Sequence, residues 1–196
     1  MEVIKIKGEE SLQGTMRISG SKNSAVALIP AAILANDEVT ICNVPEITDT
    51  DALEEILNYL GADIKRASES IVINPKTIVN KVIPEGISKK LRASYYFMGA
   101  LLGKYKRVEM YFPGGCSIGQ RPIDLHLKGF EMLGATVEIE DKKFLITADR
   151  LIGTTINLDI ASVGATINIM LAAVYAEGTT VIENAAKEPH IVNVAM

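Results

Sequence analysis

Three stretches of the chain repeat one order of hydrophobic and polar positions: an apolar, alanine-rich run, a short β-type run, a loop and an amphipathic run. The first reads IPAAILAND, EVTICNVP and ITDTDALEEILNYLGADI, and the second reads YYFMGALLGKYK, RVEMYFPGGC and RPIDLHLKGFEMLGATVEI. The third reads INIMLAAVYAEG, TTVIENAAKEP and HIVNVAM, where the sequence stops. Leu60-Gly61-Ala62 recurs as Leu133-Gly134-Ala135, a spacing of about 70 residues, longer than a solenoid repeat and nearer a domain-building unit.

Each unit predicts helix, strand, helix, strand. Leu53, Ile56, Leu57 and Leu60 fall at i, i+3, i+4 and i+7, one apolar helical stripe. Thr48, Asp49 and Thr50 precede the stripe as caps and Gly61 follows it as a stop. Ile123, Leu127 and Phe130 repeat the stripe in the second unit, with Pro122 suited to the first helical turn and Gly134 to the stop. Residues 69–74 (ESIVIN) and 143–148 (KFLITA) predict closing strands. The expected fold class is α/β or α+β, a sheet-and-helix domain built from a βαβ-type unit used three times. The third copy is incomplete, which predicts a portion of something longer.

Composition narrows the class. The 196 residues are 48% hydrophobic and 22% charged, with a net charge of −4, a globular rather than a disordered profile. No block of Lys and Arg marks a nucleic-acid face, so no nucleic-acid partner is expected. Cys42 and Cys116 are too few for a disulfide framework and suit a reducing cytosol. The opening MEVIKIKGEE lacks an uninterrupted apolar core for a signal peptide. The longest apolar stretches, residues 25–35 and 167–176, fall short of the roughly 20 residues of a membrane span. A cytoplasmic location away from membranes is expected.

The unusual chemistry concentrates in residues 111–126, YFPGGCSIGQRPIDLH. Its glycines and Pro113 make a turn-rich loop in which backbone can approach a ligand closely. Cys116 sits at the centre, and Arg121 lies at the start of a helix, whose exposed amides favour anions. Such a thiolate would be stabilised and reactive; the plain alternative is a glycine-rich turn with an incidental thiol. Cys42, inside VTICNVP, reads as a small core residue. Ser19-Gly20-Ser21-Lys22-Asn23 precedes the first alanine-rich helix, either as a phosphate or carboxylate site or as a capped helix with a solvated lysine. The run Asp159-Ile160-Ala161-Ser162-Val163-Gly164-Ala165-Thr166 opens the third apolar helix at the corresponding place, and Arg92 precedes the second. Three helix starts would then converge on one site. His126 and His190 have no partner at metal-ligand spacing, so no metal is expected.

These motifs together are recognisable. SLQGTMRISGSKNSA, NVPEITD, LRASYYFMG, PGGCSIGQRPIDLH, ASVGATINIMLAA and EGTTVIENAAKEPHIV resemble the N-terminal portion of the UDP-N-acetylglucosamine 1-carboxyvinyltransferases, members of the enolpyruvyl transferase family. The resemblance runs along the entire chain. It implies an inside-out α/β barrel of two similar domains, each of three units, with the active site in the cleft between them. Residues 1–21 would be opening strands that belong to the second domain, and residues 22–196 an incomplete N-terminal domain. The absent second domain is the expected intramolecular partner.

The resemblance also implies roles. Lys22 and Asn23 match the phosphoenolpyruvate-binding pair, Asn23 also reaching the sugar substrate. Cys116 matches a cysteine that adds to phosphoenolpyruvate, donates the proton at its methylene carbon and is alkylated by fosfomycin. Arg121 matches a charge-stabilising active-site arginine. Arg92 matches a UDP-sugar contact, Arg121, Pro122, Ile123, Asp124 and Leu125 the segment gripping uridine, and Ser162, Val163 and Gly164 the diphosphate contacts. Some members carry a lysine where this chain has Ile160. The implied reaction joins phosphoenolpyruvate to the 3′-hydroxyl of UDP-N-acetylglucosamine, releases phosphate and uses no cofactor. The chain alone is expected to be inactive. The alternatives are a UDP-sugar-binding fragment and a shikimate-pathway relative.

Overall fold

The structure, a computed structural model, describes residues 3–8, 11, 13–114 and 123–196. The first unit comprises α1 (Lys22–Ala31), β1 (Val39–Cys42), α2 (Thr48–Leu60), β2 (Asp63–Ala67) and β3 (Ser70–Asn74). A one-turn α3 (Glu85–Ser88) leads to the second: α4 (Tyr96–Tyr105), β4 (Arg107–Tyr111), α5 (Asp124–Met132), β5 (Thr136–Glu140) and β6 (Lys143–Thr147). The third has β7 (Thr155–Asn157), α6 (Val163–Ala173), β8 (Val181–Glu183) and α7 (Pro189–Ala195).

Helices α1, α4 and α6 are apolar on nearly every side, which only a helix surrounded by protein tolerates. In α4 every residue from Tyr96 to Gly103 is buried, and in α6 burial covers Ala165 to Ile169 together with Leu171 and Ala172. Helix α4 makes its most extensive contact with α6, and glycine makes that contact possible. A Cβ at Gly99 would lie 2.3 Å from the Asn168 carbonyl oxygen, and one at Gly103 would lie 2.7 Å from that of Leu171. At the far end Lys104 Nζ donates to Ile33 O (2.7 Å), and the Tyr175 hydroxyl donates to Leu34 O (2.7 Å). The three helices therefore start at one end of the core and finish at the other.

Small sheets bury one face each against these helices, the inside-out arrangement. Strands β1-β3-β2 are antiparallel, with Ile41 opposite Ile71 and Ile64 opposite Ile73. Strands β4-β6-β5 repeat the plan, with Val108 opposite Ile146 and Met110 opposite Phe144. Strand β7 pairs with β8 in parallel, and Ile83 makes a parallel bridge to Met110 at the corresponding edge of β4.

The stripe of α2 is realised: Leu53, Ile56, Leu57 and Leu60 are all fully buried. Gly61 (φ 95°) and Gly134 (φ 97°) are the left-handed stops the repeat anticipates. Strands β3 and β6 fall where alternation puts them, but the first two units each hold one strand more than expected. Strands β2 and β5 bury almost nothing; DIKRA in β2 carries little alternation, whereas TVEIE in β5 alternates but falls at the end of the stretch assigned to the amphipathic run. Cys42 is a second correction. It is exposed, because the pleat that turns Ile41 inward turns Thr40 and Cys42 out. A third concerns α5, whose buried face is His126, Gly129 and Phe130, while Ile123 and Leu127 are only partly covered. The described residues before Lys22 carry neither strand nor helix, and Val3, Ile4, Ile6, Met16 and Ile18 are exposed.

Candidate functional site

A cleft of about 1090 Å³ opens at the end of the core where the inner helices begin. Helix α1 contributes Lys22 and Asn23, and α6 contributes Ser162, Val163 and Gly164. Arg92 and Tyr95 come from the short turn that runs into α4, and Asp124, Leu125 and His126 from the first turn of α5. His190, at the start of α7, completes the rim.

Local sequence explains why helices start here. Ser21 caps α1 by accepting the Ser24 N–H at 3.3 Å, and Ser162 caps α6 by accepting the Ala165 N–H at 3.3 Å. The two junctions are structural equivalents, as their places in the repeat imply. Several helix starts turned to one cavity present unpaired amide hydrogens and positive dipole ends to it, an arrangement suited to an anion.

The charges around the cleft are organised in pairs. Lys22 Nζ lies 2.5 Å from a carboxylate oxygen of Asp49 on α2, with the lysine about half exposed. Lys90 is held by both oxygens of Glu55 at 2.7 Å, and Lys128 by Asp159 at 2.8 Å. The Arg92 guanidinium stands 5.9 Å from the centre of the Tyr95 ring. An anion entering the cleft competes with Asp49 for Lys22.

Behind the wall lies a buried polar knot. Asn168 of α6, fully buried, accepts the Gly99 N–H on Oδ1 at 2.8 Å. Its Nδ2 donates to Tyr95 O at 2.9 Å and lies 2.9 Å from His126 Nδ1. Burial, then the nearby Arg92 cation, push the His126 pKa down to about 4, with Asp124 pulling weakly the other way. Tyr95 meets the imidazole edge-on, ring centres 4.8 Å apart. Among the described residues no three His, Cys, Asp or Glu side chains cluster as a metal site.

Eight of the expected residues are therefore brought together: Lys22, Asn23, Arg92, Asp124, Leu125, Ser162, Val163 and Gly164. Ile123 lies just outside the lining and packs against the core. Cys116, Arg121 and Pro122 lie outside the described residues; the flanking Gly114 is itself in the cleft wall. Sequence reasoning missed Asp49, Tyr95, His126 and Asn168. Asn168 did leave a signal, as a lone amide in the apolar run INIML.

A family model described as EPSP synthase (3-phosphoshikimate 1-carboxyvinyltransferase) matches residues 6–196. The chain belongs to the EPSP synthase family. Among the curated members it is 55% identical over 195 residues to UDP-N-acetylglucosamine 1-carboxyvinyltransferase 2 of Bacillus subtilis, covering 100% of this chain and 46% of that one. It is 54% identical over 190 residues to the protein of the same name from Listeria monocytogenes, covering 97% and 45%. The chain thus spans about half the length of the curated relatives it matches. Two solved structures share the fold: the enolpyruvyl transferase NikO from Streptomyces tendae, with a TM-score of 0.82 at 24% identity over 94% of this chain and 43% of that one, and EPSP synthase from Acinetobacter baumannii, with a TM-score of 0.69 at 21% identity over 94% and 44%. No helix of the described residues is long and apolar enough to cross a membrane.

Proposed function

We propose that this chain forms half of an enzyme that transfers the enolpyruvyl group of phosphoenolpyruvate to the 3′-hydroxyl of UDP-N-acetylglucosamine. The observation that carries the reading is its identity of 55%, sustained along 195 residues, with a relative named for that activity. The cleft is chemically apt, since both substrates are anions and helix starts with Lys22 and Arg92 converge there.

In the proposed reaction the 3′-oxygen attacks C2 of phosphoenolpyruvate and loses its proton to a base. The C3 methylene takes a proton from the Cys116 thiol. The tetrahedral adduct then loses a proton from C3 and expels inorganic phosphate from C2, leaving the enol ether. Lys22 and Arg121 would balance phosphate and carboxylate charge, Asn23 would hydrogen-bond the adduct, and Arg92 with residues 121–125 and 162–164 would hold the UDP portion. Positive groups held in place lower the cost of the developing charge. The base and further arginines would come from a second domain, with which residues 1–21 would pack. The same reading makes this a cytoplasmic step that opens peptidoglycan synthesis and makes Cys116 the fosfomycin site.

The half-length of the match favours a second, narrower reading, in which the chain alone binds the UDP-sugar without turnover. Loss of the base alone should lower the rate roughly 10²–10⁴-fold. The test is phosphate release from phosphoenolpyruvate, with and without UDP-N-acetylglucosamine. The expected result is silence from this chain alone and sugar-dependent release once it is joined to the second half of a relative, abolished by Cys116→Ala. Release with shikimate 3-phosphate and not with the UDP-sugar would overturn the assignment.

A further inference from the structure

We propose that His126 is a ligand-contacting residue of the cleft, a neutral donor presenting its Nε2–H to an oxygen of the anion bound at the start of α6, and that Asn168 is the positioning residue that fixes this tautomer. The inference rests on the UDP-sugar reading of the cleft and assigns a group that reading leaves unused.

The geometry is over-determined. The Gly99 backbone amide can only donate, so the Asn168 atom facing it at 2.8 Å must be the carbonyl oxygen. The amide nitrogen then faces both the Tyr95 carbonyl oxygen and His126 Nδ1 at 2.9 Å, one hydrogen for each. Nδ1 is therefore an acceptor, and the ring proton resides on Nε2. A cation at this ring would set an Nδ1–H against an amide N–H.

The other side of the ring meets the first turn of α6. A Cβ added to Gly164 would lie 3.1 Å from His126 Nε2 and 2.9 Å from the Tyr95 hydroxyl. Glycine leaves that space open, and both His126 and Gly164 line the cleft. Arg92 and Asp124 are the charged groups that act on the ring, and Tyr95 is the titratable side chain packed on it. Burial and Arg92 outweigh Asp124, so the imidazole keeps its neutral form well below pH 7. A neutral imidazole so held is a poor proton shuttle but a directional donor, and it adds specificity beside Arg92 without a second positive charge.

Long-range ¹H–¹⁵N spectra of this chain, recorded from pH 5.5 to 8 with UDP-N-acetylglucosamine as the probe, test the proposal. The expected result is an Nε2–H tautomer throughout, whose proton signal moves downfield on saturation. His126→Phe should weaken binding about tenfold to a hundredfold, and His126→Gln, which keeps a donor near the Nε2 position, should restore most of it. Asn168→Asp presents an acceptor to Nδ1 and should reverse the tautomer, making an affinity that is flat with pH in the wild type rise as pH falls. A merely structural role would not produce that pH dependence. An Nδ1–H tautomer in the wild type, or full affinity in His126→Phe, overturns this inference while leaving the UDP-sugar reading intact. Lack of any response of the wild-type chain to the probe, both alone and joined to the second half of a relative, would instead overturn the UDP-sugar reading, and this inference with it.

Discussion

Burying His126 couples the stability of the chain to pH. The folded protein holds its pKa at about 4, whereas an unfolded chain gives about 6.5. Between those values the unfolded state binds the extra proton, so the stabilisation is complete above about pH 6.5 and is lost as pH falls toward 4. Urea midpoints should fall more steeply through this window in the wild type than in His126→Gln, by up to roughly 3 kcal/mol at pH 4. Parallel pH profiles for the two proteins would refute the buried neutral ring. The Lys22–Asp49 pair belongs to another class. Its lysine is half exposed, although the Asp49 side chain is only 20% exposed, so Asp49→Asn should change stability by about 1 kcal/mol. What was legible at this scale was local: Ser21 and Ser162 announce caps because they act within three residues of themselves. The pairing of His126 with Asn168 spans 42 residues, and no periodicity encodes it.

Helices and strands show the same division between what a local pattern reveals and what tertiary contact decides. The stripe of α2 and the alternation of β3 and β6 were readable because each buries one defined face. The edge strands β2 and β5 keep their side chains mostly solvated and are defined by backbone pairing to β3 and β6, so DIKRA gives little alternation to read, although TVEIE in β5 does alternate. Nor did the stripe in α5 predict that Gly129 would face α6, where a Cβ would come within 2.3 Å of Ile169. The α4–α6 contact offers a direct test. Gly103→Leu must push apart helices whose backbones meet there, and should cost about 1–3 kcal/mol or more. Gly86→Ala in α3, where a Cβ meets nothing within 4 Å, should be neutral or stabilising by about 0.4–1 kcal/mol. Thermal midpoints of the two variants decide the matter, and equal effects would contradict the close approach of α4 and α6.

At the scale of the whole molecule, the repeat orients the helices and thereby makes the cleft polar in one sense. Because α1, α4 and α6 start together and their far ends are tied by Lys104 and Tyr175, their dipoles add at the cleft rather than cancel. The three-copy pattern made this convergence legible before any geometry was known, although α5 and α7 also turn their first residues to the cleft. Ligand binding should therefore act on one end of the core and not on the other. UDP-N-acetylglucosamine at a hundred times its Kd should stabilise the fold by about 2.7 kcal/mol. Hydrogen exchange should slow most at the first-turn amides of α1, α5 and α6, because those N–H groups lack intrahelical partners until an anion supplies one. Amides near Lys104 and Tyr175 should change only as much as global stability requires, which sets the internal baseline. Protection spread evenly over both ends would mean that the ligand stabilises the chain without occupying the helix starts, and the anion-binding account of the cleft would fail.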